Sequence, residues 1–223
     1  MYDVIRNFNV DYVYFDLIFL IIFIIALIIA KKKIPLLAFF IGGLGINFLI
    51  DWGIWLHQGL REISLPFNFA GATVLFFLWF SLSYGIEYSY VFLMFEEKSY
   101  KAKLKWTLFI FLGWLIVAFL SQLIPLNDAK IKTIRHMSDL RTLRIAIVLI
   151  GYLTLFLLRY DWKKILYLFS IGFLIHFMME SVLLISNIRP GSISILLENS
   201  LIEFNMGVPF FYLLYDKLLK KIK

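Results

Sequence analysis

Residues 13–30 read VYFDLIFLIIFIIALIIA, and Lys31, Lys32 and Lys33 follow at once. A single acid, Asp16, interrupts a run that is otherwise aliphatic or aromatic. At 1.5 Å of rise per residue, about 20 such residues cross a hydrocarbon core of roughly 30 Å. Backbone amides in lipid find no water, so the run must close its hydrogen bonds on itself as a helix. Ahead of it stand Asp3 and Asp11 against Arg6 alone, and no small-residue cleavage site follows. It therefore reads as a retained first span rather than a cleaved leader.

Six further stretches repeat the pattern, at 34–57, 68–95, 105–124, 143–159, 165–186 and 194–216, the fifth being the shortest. Hydrophobic residues make up 62% of the 223-residue chain. A soluble domain averages nearer half, so lipid must solvate much of the surface. The expected fold is an all-α membrane protein of seven transmembrane helices forming a single membrane domain. Its net charge of +7 lies between the apolar runs, which suits loops against anionic lipid and gives no reason to expect nucleic acid. With no cysteine, disulfides, thiolate catalysis and Cys-ligated metal sites are excluded.

Lys and Arg set the expected orientation. With seven spans, fourteen of them (Lys31–Lys33, Lys98, Lys101, Lys103, Lys105, Arg159, Lys163, Lys164, Lys217, Lys220, Lys221 and Lys223) share one side. Eight share the other: Arg6, Arg61, Arg189 and five between 125 and 144. The positive-inside rule then gives a multi-pass cell-membrane protein with its N-terminus outside and its C-terminus cytoplasmic. The 125–144 loop dissents, and reads as an amphipathic surface segment or as a sign that helix five begins elsewhere.

The chain also resembles itself. Helix two runs Lys32-Lys33-Ile34, Ile41-Gly42, then Asn47-Phe48-Leu49-Ile50-Asp51; helix six runs Lys163-Lys164-Ile165, Ile171-Gly172, then His176-Phe177-Met178-Met179-Glu180. Each places a polar residue four before an acid, on one helix face. Helices three and seven carry Gly85-Ile86-Glu87-Tyr88-Ser89-Tyr90 and Gly207-Val208-Pro209-Phe210-Phe211-Tyr212. The expected plan is 3+1+3: a three-helix repeat over 1–98, a connecting helix and loop over 99–142, and a second repeat over 143–223. An odd helix between them keeps both repeats parallel, so a pseudo-two-fold should run along the membrane normal.

Ionisable groups within spans are costly and mark sites. Asp51, Glu180, Glu203 and Glu87 are the candidate catalytic acids or bases, with no Lys or Arg on the spans at comparable depth. Unpaired, they should be pushed toward the neutral acid by desolvation, a form suited to proton donation. Asp51 and Glu180 should lie at matching depth and face one another across a central cleft. Asn47, His176 and Asn205 are polar neighbours. Trp52, Trp55, Trp79, Tyr84 and Tyr88 supply rings whose π faces could line an apolar substrate cavity and stabilise a carbocation. No metal site is expected, because His57 and His136 lie at boundaries far from His176.

These residues resemble a known group, the integral-membrane lycopene cyclases of actinobacteria, archaea and fungi, built from two tandem three-helix domains. Each such domain has an acid in its second helix and a Pro-x-Glu-Glu-type motif followed by aromatics in its third. Asp51-Trp52 with Gly85-Ile86-Glu87-Tyr88 looks like a degenerate first copy, and Glu180 with Gly207-Val208-Pro209-Phe210-Phe211 a degenerate second. The motif's Pro is Gly85 in the first copy, and Phe210 and Phe211 replace both acids in the second. The fungal seven-helix meroterpenoid cyclases are a looser likeness, through Asp51 and Glu203. Both resemblances imply a hydrophobic isoprenoid or lipid-like substrate cyclised by protonation, with no redox cofactor and no metal. A 3+1+3 small-molecule transporter, in a proton-coupled form, is the alternative; few inward Asn, Gln, Ser or Thr support it.

Overall fold

The computed structural model describes residues 3–136, 141–191 and 193–221. Among them the chain forms seven helical segments. The first is α1 (Val10–Ile29). The second starts as α2 (Lys33–Phe40) and continues as π-helix through Ile41–Asn47 and Leu49–Leu56. Then come α3 (Ala72–Glu96), α4 (Tyr100–Leu123), α5 (Arg141–Leu157) and α6 (Trp162–Ile185). The last segment is broken into α7 (Ile193–Ile202), a 3-10 turn (Phe204–Met206) and α8 (Val208–Lys217).

Five of the seven are long and apolar enough to cross a membrane: α1, Lys33–Leu56, α3, α4 and α6. The other two fall short for local reasons. α5 has 17 residues. The seventh, expected as one helix over 194–216, breaks at Glu203–Gly207, where Pro209 removes a backbone donor and suits the opening of a new helix.

The side chains distribute inside out relative to a soluble protein. Ile18, Ile21, Ile25, Leu112, Ile116 and Leu149 are exposed on the outer faces of α1, α4 and α5, whereas Asp16, Ser81, Glu87, Ser89 and Ser200 are fully buried. The arrangement is compatible with a membrane protein, for which lipid is the solvent. α3 is the central helix, buried along most of its length against α2, α6 and α8. It approaches the second segment backbone to backbone. A Cβ on Gly43 would lie 2.8 Å from the Ser81 carbonyl oxygen, and one on Gly85 would lie 2.6 Å from that of Phe39. Small residues at such a crossing are how helices associate where lipid removes the hydrophobic driving force. α6 meets the broken seventh segment at Gly172, which is packed against the Asn205 and Val208 side chains.

Strands form at one end of the bundle that the hydropathy pattern did not announce. β1 (Asp3–Asn9), β2 (Arg61–Ser64) and β3 (Lys130–His136) make an antiparallel sheet in the order β1-β3-β2. The register sets Arg6 opposite Thr133 and Arg61 opposite Arg135. With a two-residue period, Val4, Arg6, Phe8, Arg61, Ile131, Thr133 and Arg135 are buried on one face while Lys130 and Lys132 are exposed on the other. The sheet thus caps the bundle with an inner face that carries three arginines. Within the dissenting 125–144 loop, Lys130–His136 form strand β3 and α5 begins at Arg141, while residues 137–140 lie outside the described ones. The next connection on this side ties in as well, since Asn7 donates its backbone N–H to the Ile188 carbonyl oxygen at 2.8 Å.

Candidate functional site

Beneath the sheet lies a buried cluster of charge. Three strands deliver Arg6, Arg61 and Arg135; the start of α5 adds Arg144 and the turn after α6 adds Arg189, all at most 8% exposed. This corrects the expectation that the internal acids lack counter-cations. Asp51 Oδ1 lies 2.7 Å from the Arg61 guanidinium. Glu203 accepts a forked contact from Arg135, at 3.2 Å to Oε2 and 3.1 Å to Oε1, and also holds Arg144. Glu180 pairs with Arg189. Four of the arginines lie in strands and connections, where a search for cations along the apolar helices could not find them, and Arg144 lies in the first turn of α5, at the edge of the expected fifth span. The neutral, unpaired carboxyl expected at each of these three positions gives way to an ion pair.

Asp51 and Glu180 therefore do not face one another as a pair across a cleft; each faces its own arginine. Asp51 is turned inward by the π-helical stretch, a wider winding that is rare and recurs at functional sites. The same stretch brings Asn47 to Tyr88, whose hydroxyl donates to Asn47 Oδ1 at 3.1 Å.

Glu87 is the fourth acid and has no guanidinium partner among the described residues. Its Oε2 lies 3.1 Å from His176 Nδ1, and His176 Nε2 lies 3.4 Å from Glu180 Oε1. A chain Glu87–His176–Glu180–Arg189 thus crosses from α3 to α6, buried throughout. His176 Nε2 and Glu180 Oε1 have only each other, and Glu87 Oε1 has no hydrogen-bond partner among the described residues. Buried polar atoms are nearly always satisfied, so Glu87 Oε1 is the atom left open to a proton or a ligand. His176 was expected beside Glu180; its closer partner, Glu87, comes from the other half.

The aromatic residues are placed differently from the expected walls of a carbocation chamber, because several π faces already carry cations. The Arg6 guanidinium sits 5.5 Å from the Phe80 ring centre and 5.6 Å from that of Tyr84. Arg61 and Arg135 lie 5.5 and 5.6 Å from Trp55. Such contacts, favourable when desolvated, help to hold these three of the five guanidiniums in the interior. Trp79 donates its indole N–H to Asp16 Oδ2 at 2.9 Å. Trp52 stacks on Phe48 at 5.1 Å, away from the arginines. Asn205 accepts from the Tyr152 hydroxyl at 2.6 Å, and so serves the α5 contact.

Electrostatics off the spans follow from burial. Desolvation drags the Arg189 pKa down to about 10, helped by nearby Arg6 and opposed by Glu180; the group is still a cation at neutral pH. Arg61 is lowered for the same first reason, against the pull of Asp51. Arg6 is raised, because Tyr84 and Glu180 together outweigh its desolvation.

Three spaces adjoin this centre or the helices that build it. A cavity of about 30 Å³ lies between β1, α1, α3, α4 and α6 beside Arg6 and Tyr84. An almost wholly apolar groove of about 120 Å³ runs between the second segment, α3 and α8, with Tyr88, Phe92 and Phe211 among its walls. A third space, about 310 Å³, opens between α3, α4 and α6 near Lys98 and Lys103. Comparison with protein-family models, curated proteins and solved structures finds no match to this chain.

Proposed function

We propose that the chain is an integral-membrane enzyme that moves protons on a lipid-like substrate, of the isoprenoid class that the sequence resemblance implies. The observation that carries this is the buried Glu87–His176–Glu180 chain, in which Glu87 Oε1 is left without a partner among the described residues. An imidazole between two carboxylates can take up a proton from one side and deliver it to the other, which is the requirement for general acid–base work. The apolar groove beside Tyr88, next in sequence to Glu87, suits a hydrocarbon tail. Protonation-initiated cyclisation is the narrower form of this proposal. Its cationic stage would need rings not already covered by guanidinium, such as Tyr88 and Phe211, which meet at 5.3 Å.

Two finer features support the same picture. Gly43 and Gly85 join α3 to the second segment and Gly172 joins α6 to the seventh, in keeping with a 3+1+3 plan of two parallel repeats. In that plan His176 and Glu87 come from opposite halves, so the relay exists only when both are assembled. The orientation with the N-terminus outside also gains support. Of the eight cations on the sheet side, Arg6, Arg61, Arg135, Arg144 and Arg189 are buried. Such charges do not act as a free cytoplasmic excess, whereas the Lys31–Lys33 and Lys98–Lys105 groups stand at the opposite end.

A proton-coupled transporter would draw on the same relay, sealed on one side by the sheet. Expression in hosts that make lycopene or prenyl quinones, followed by mass-spectrometric product analysis, separates the two. The enzyme gives a new product that His176→Gln and Glu87→Gln each reduce by about 10²-fold or more, the usual span for a lost acid or base. Absence of any new product, together with solute uptake by reconstituted liposomes, overturns the enzymatic proposal in favour of transport.

A further inference from the structure

Four of the five clustered guanidiniums have a protein carboxylate within 4 Å: Arg61 has Asp51, Arg135 and Arg144 share Glu203, and Arg189 has Glu180. Arg6 has none among the described residues. The Phe80 and Tyr84 rings lie against its guanidinium, Tyr84 also hydrogen-bonds it, and Glu180 acts on it only through space, without contact. Three carboxylates thus contact four of the five cations, and Arg6 is the one left over. Of the other buried acids nearby, Glu87 faces His176 and Asp16 faces the Trp79 indole, so neither is a contact partner of Arg6. Burying a guanidinium without an anion is costly, and a carboxylate that meets its fork is the usual remedy.

Arg6 also lines a cavity. That space, about 30 Å³, is bounded on its polar side by Arg6, Tyr12, Ser83 and Tyr84 and on its apolar side by residues that include Trp79 and Trp114. Thirty cubic ångströms is on the order of one water's share of the liquid. It holds a small head, not a body, so a chain attached to that head would lie outside the cavity. We propose that this cavity binds the carboxylate of an apolar acid, such as an isoprenoid or fatty acid, and that the ligand supplies the carboxylate Arg6 lacks. The assignment deepens the lipid-substrate proposal and rests on it for the identity of the tail. The carboxylate would lie beside the α6 turn that carries Met179, which also lines the cavity and adjoins Glu180 of the relay.

Purified protein in nanodiscs, titrated with farnesoic acid, farnesol and farnesyl phosphate, tests the proposal through quenching of tryptophan emission by brominated analogues, with Trp79 and Trp114 as reporters. The acid should bind tighter than the alcohol by roughly ten- to a hundredfold, the worth of a hydrogen-bonded charge partner. Arg6→Gln should abolish that preference while leaving alcohol binding in place, and Arg6→Lys should restore part of it. Equal affinity of the wild-type protein for acid and alcohol overturns the proposal without need of any variant. Preference for the phosphate overturns the carboxylate assignment in favour of a larger anion. The two proposals fail separately. Acid binding that persists while His176→Gln leaves the product profile unchanged sinks only the relay chemistry, and turnover without acid preference sinks only the head-group assignment.

Discussion

Single residues decide how much charge this interior tolerates. Glu203 holds two buried guanidiniums, Arg135 through a fork and Arg144 through one oxygen. Removing one partner of a buried pair strands the other, and here it strands two. Glu203→Gln should therefore destabilise the protein by about 3–5 kcal/mol, read as a fall in the detergent-solubilised unfolding midpoint. Glu62→Gln, on a side chain that is largely exposed, should cost under about 1 kcal/mol. Similar losses for the two variants would show that Glu203 is not the keystone its contacts describe. Arg61 and Arg135 stand opposite one another in the sheet register, a like-charge pair that two carboxylates and the shared Trp55 ring offset.

At the level of elements, two contacts organise the molecule. The first is the glycine-lined crossing of α3 with the second segment. An added Cβ at Gly85 meets the backbone oxygen of Phe39, which cannot move aside as a side chain end could. Gly85→Ala should cost about 1–3 kcal/mol by overpacking, whereas Gly53→Ala, with nothing within 4 Å of the new methyl, should be neutral or slightly stabilising. Thermal unfolding of the two variants side by side checks the contrast. The second contact is the sheet. His136 on β3 bonds Asp3 of β1 at 2.8 Å and Glu62 of β2 at 3.2 Å. The hydrogen bond to Asp3, then that to Glu62, raises its pKa above the ordinary value. A raised folded-state pKa means stability that is fully present below the unfolded value of about 6.5 and lost as pH climbs through the folded one. Amide exchange in β3 should therefore be slowest, relative to His136→Asn, in mildly acidic solution, and the two proteins should converge at alkaline pH. A constant gap across pH would mean that the bridge does not depend on the imidazolium.

Over the whole molecule, the sheet and its arginines form one end and the lysine-rich turns the other. The chain has no cysteine, so single introduced thiols report sidedness directly. Lys132→Cys, exposed on β3, should react with an impermeant maleimide on intact cells, while Lys101→Cys, exposed at the start of α4, should react only after permeabilisation. The reverse pattern would invert the proposed orientation. The bundle is held at this scale by contacts between distant parts of the chain: Arg135 and Glu203 are 68 residues apart, and Glu87 and His176 are 89 apart.

The seven helical segments and their rough placement were legible because hydropathy is a local sum, and five of them are long and apolar enough to cross a membrane. Asp51, Glu180, Glu203 and Glu87 stood out for the same reason, as costly groups in apolar runs. Strand β3 was also readable, had the alternation Lys130-Ile131-Lys132-Thr133-Ile134-Arg135 been weighed as a two-residue period. The partners of those acids were not. Pairing depends on which faces meet, and the sheet that carries Arg6, Arg61 and Arg135 inward exists only through hydrogen bonds between three separate segments of chain. The sequence by itself determined what each segment is soluble in; tertiary structure alone decided which charges share an interior, because ion pairing is set by distance in space, and distance along the chain does not report it.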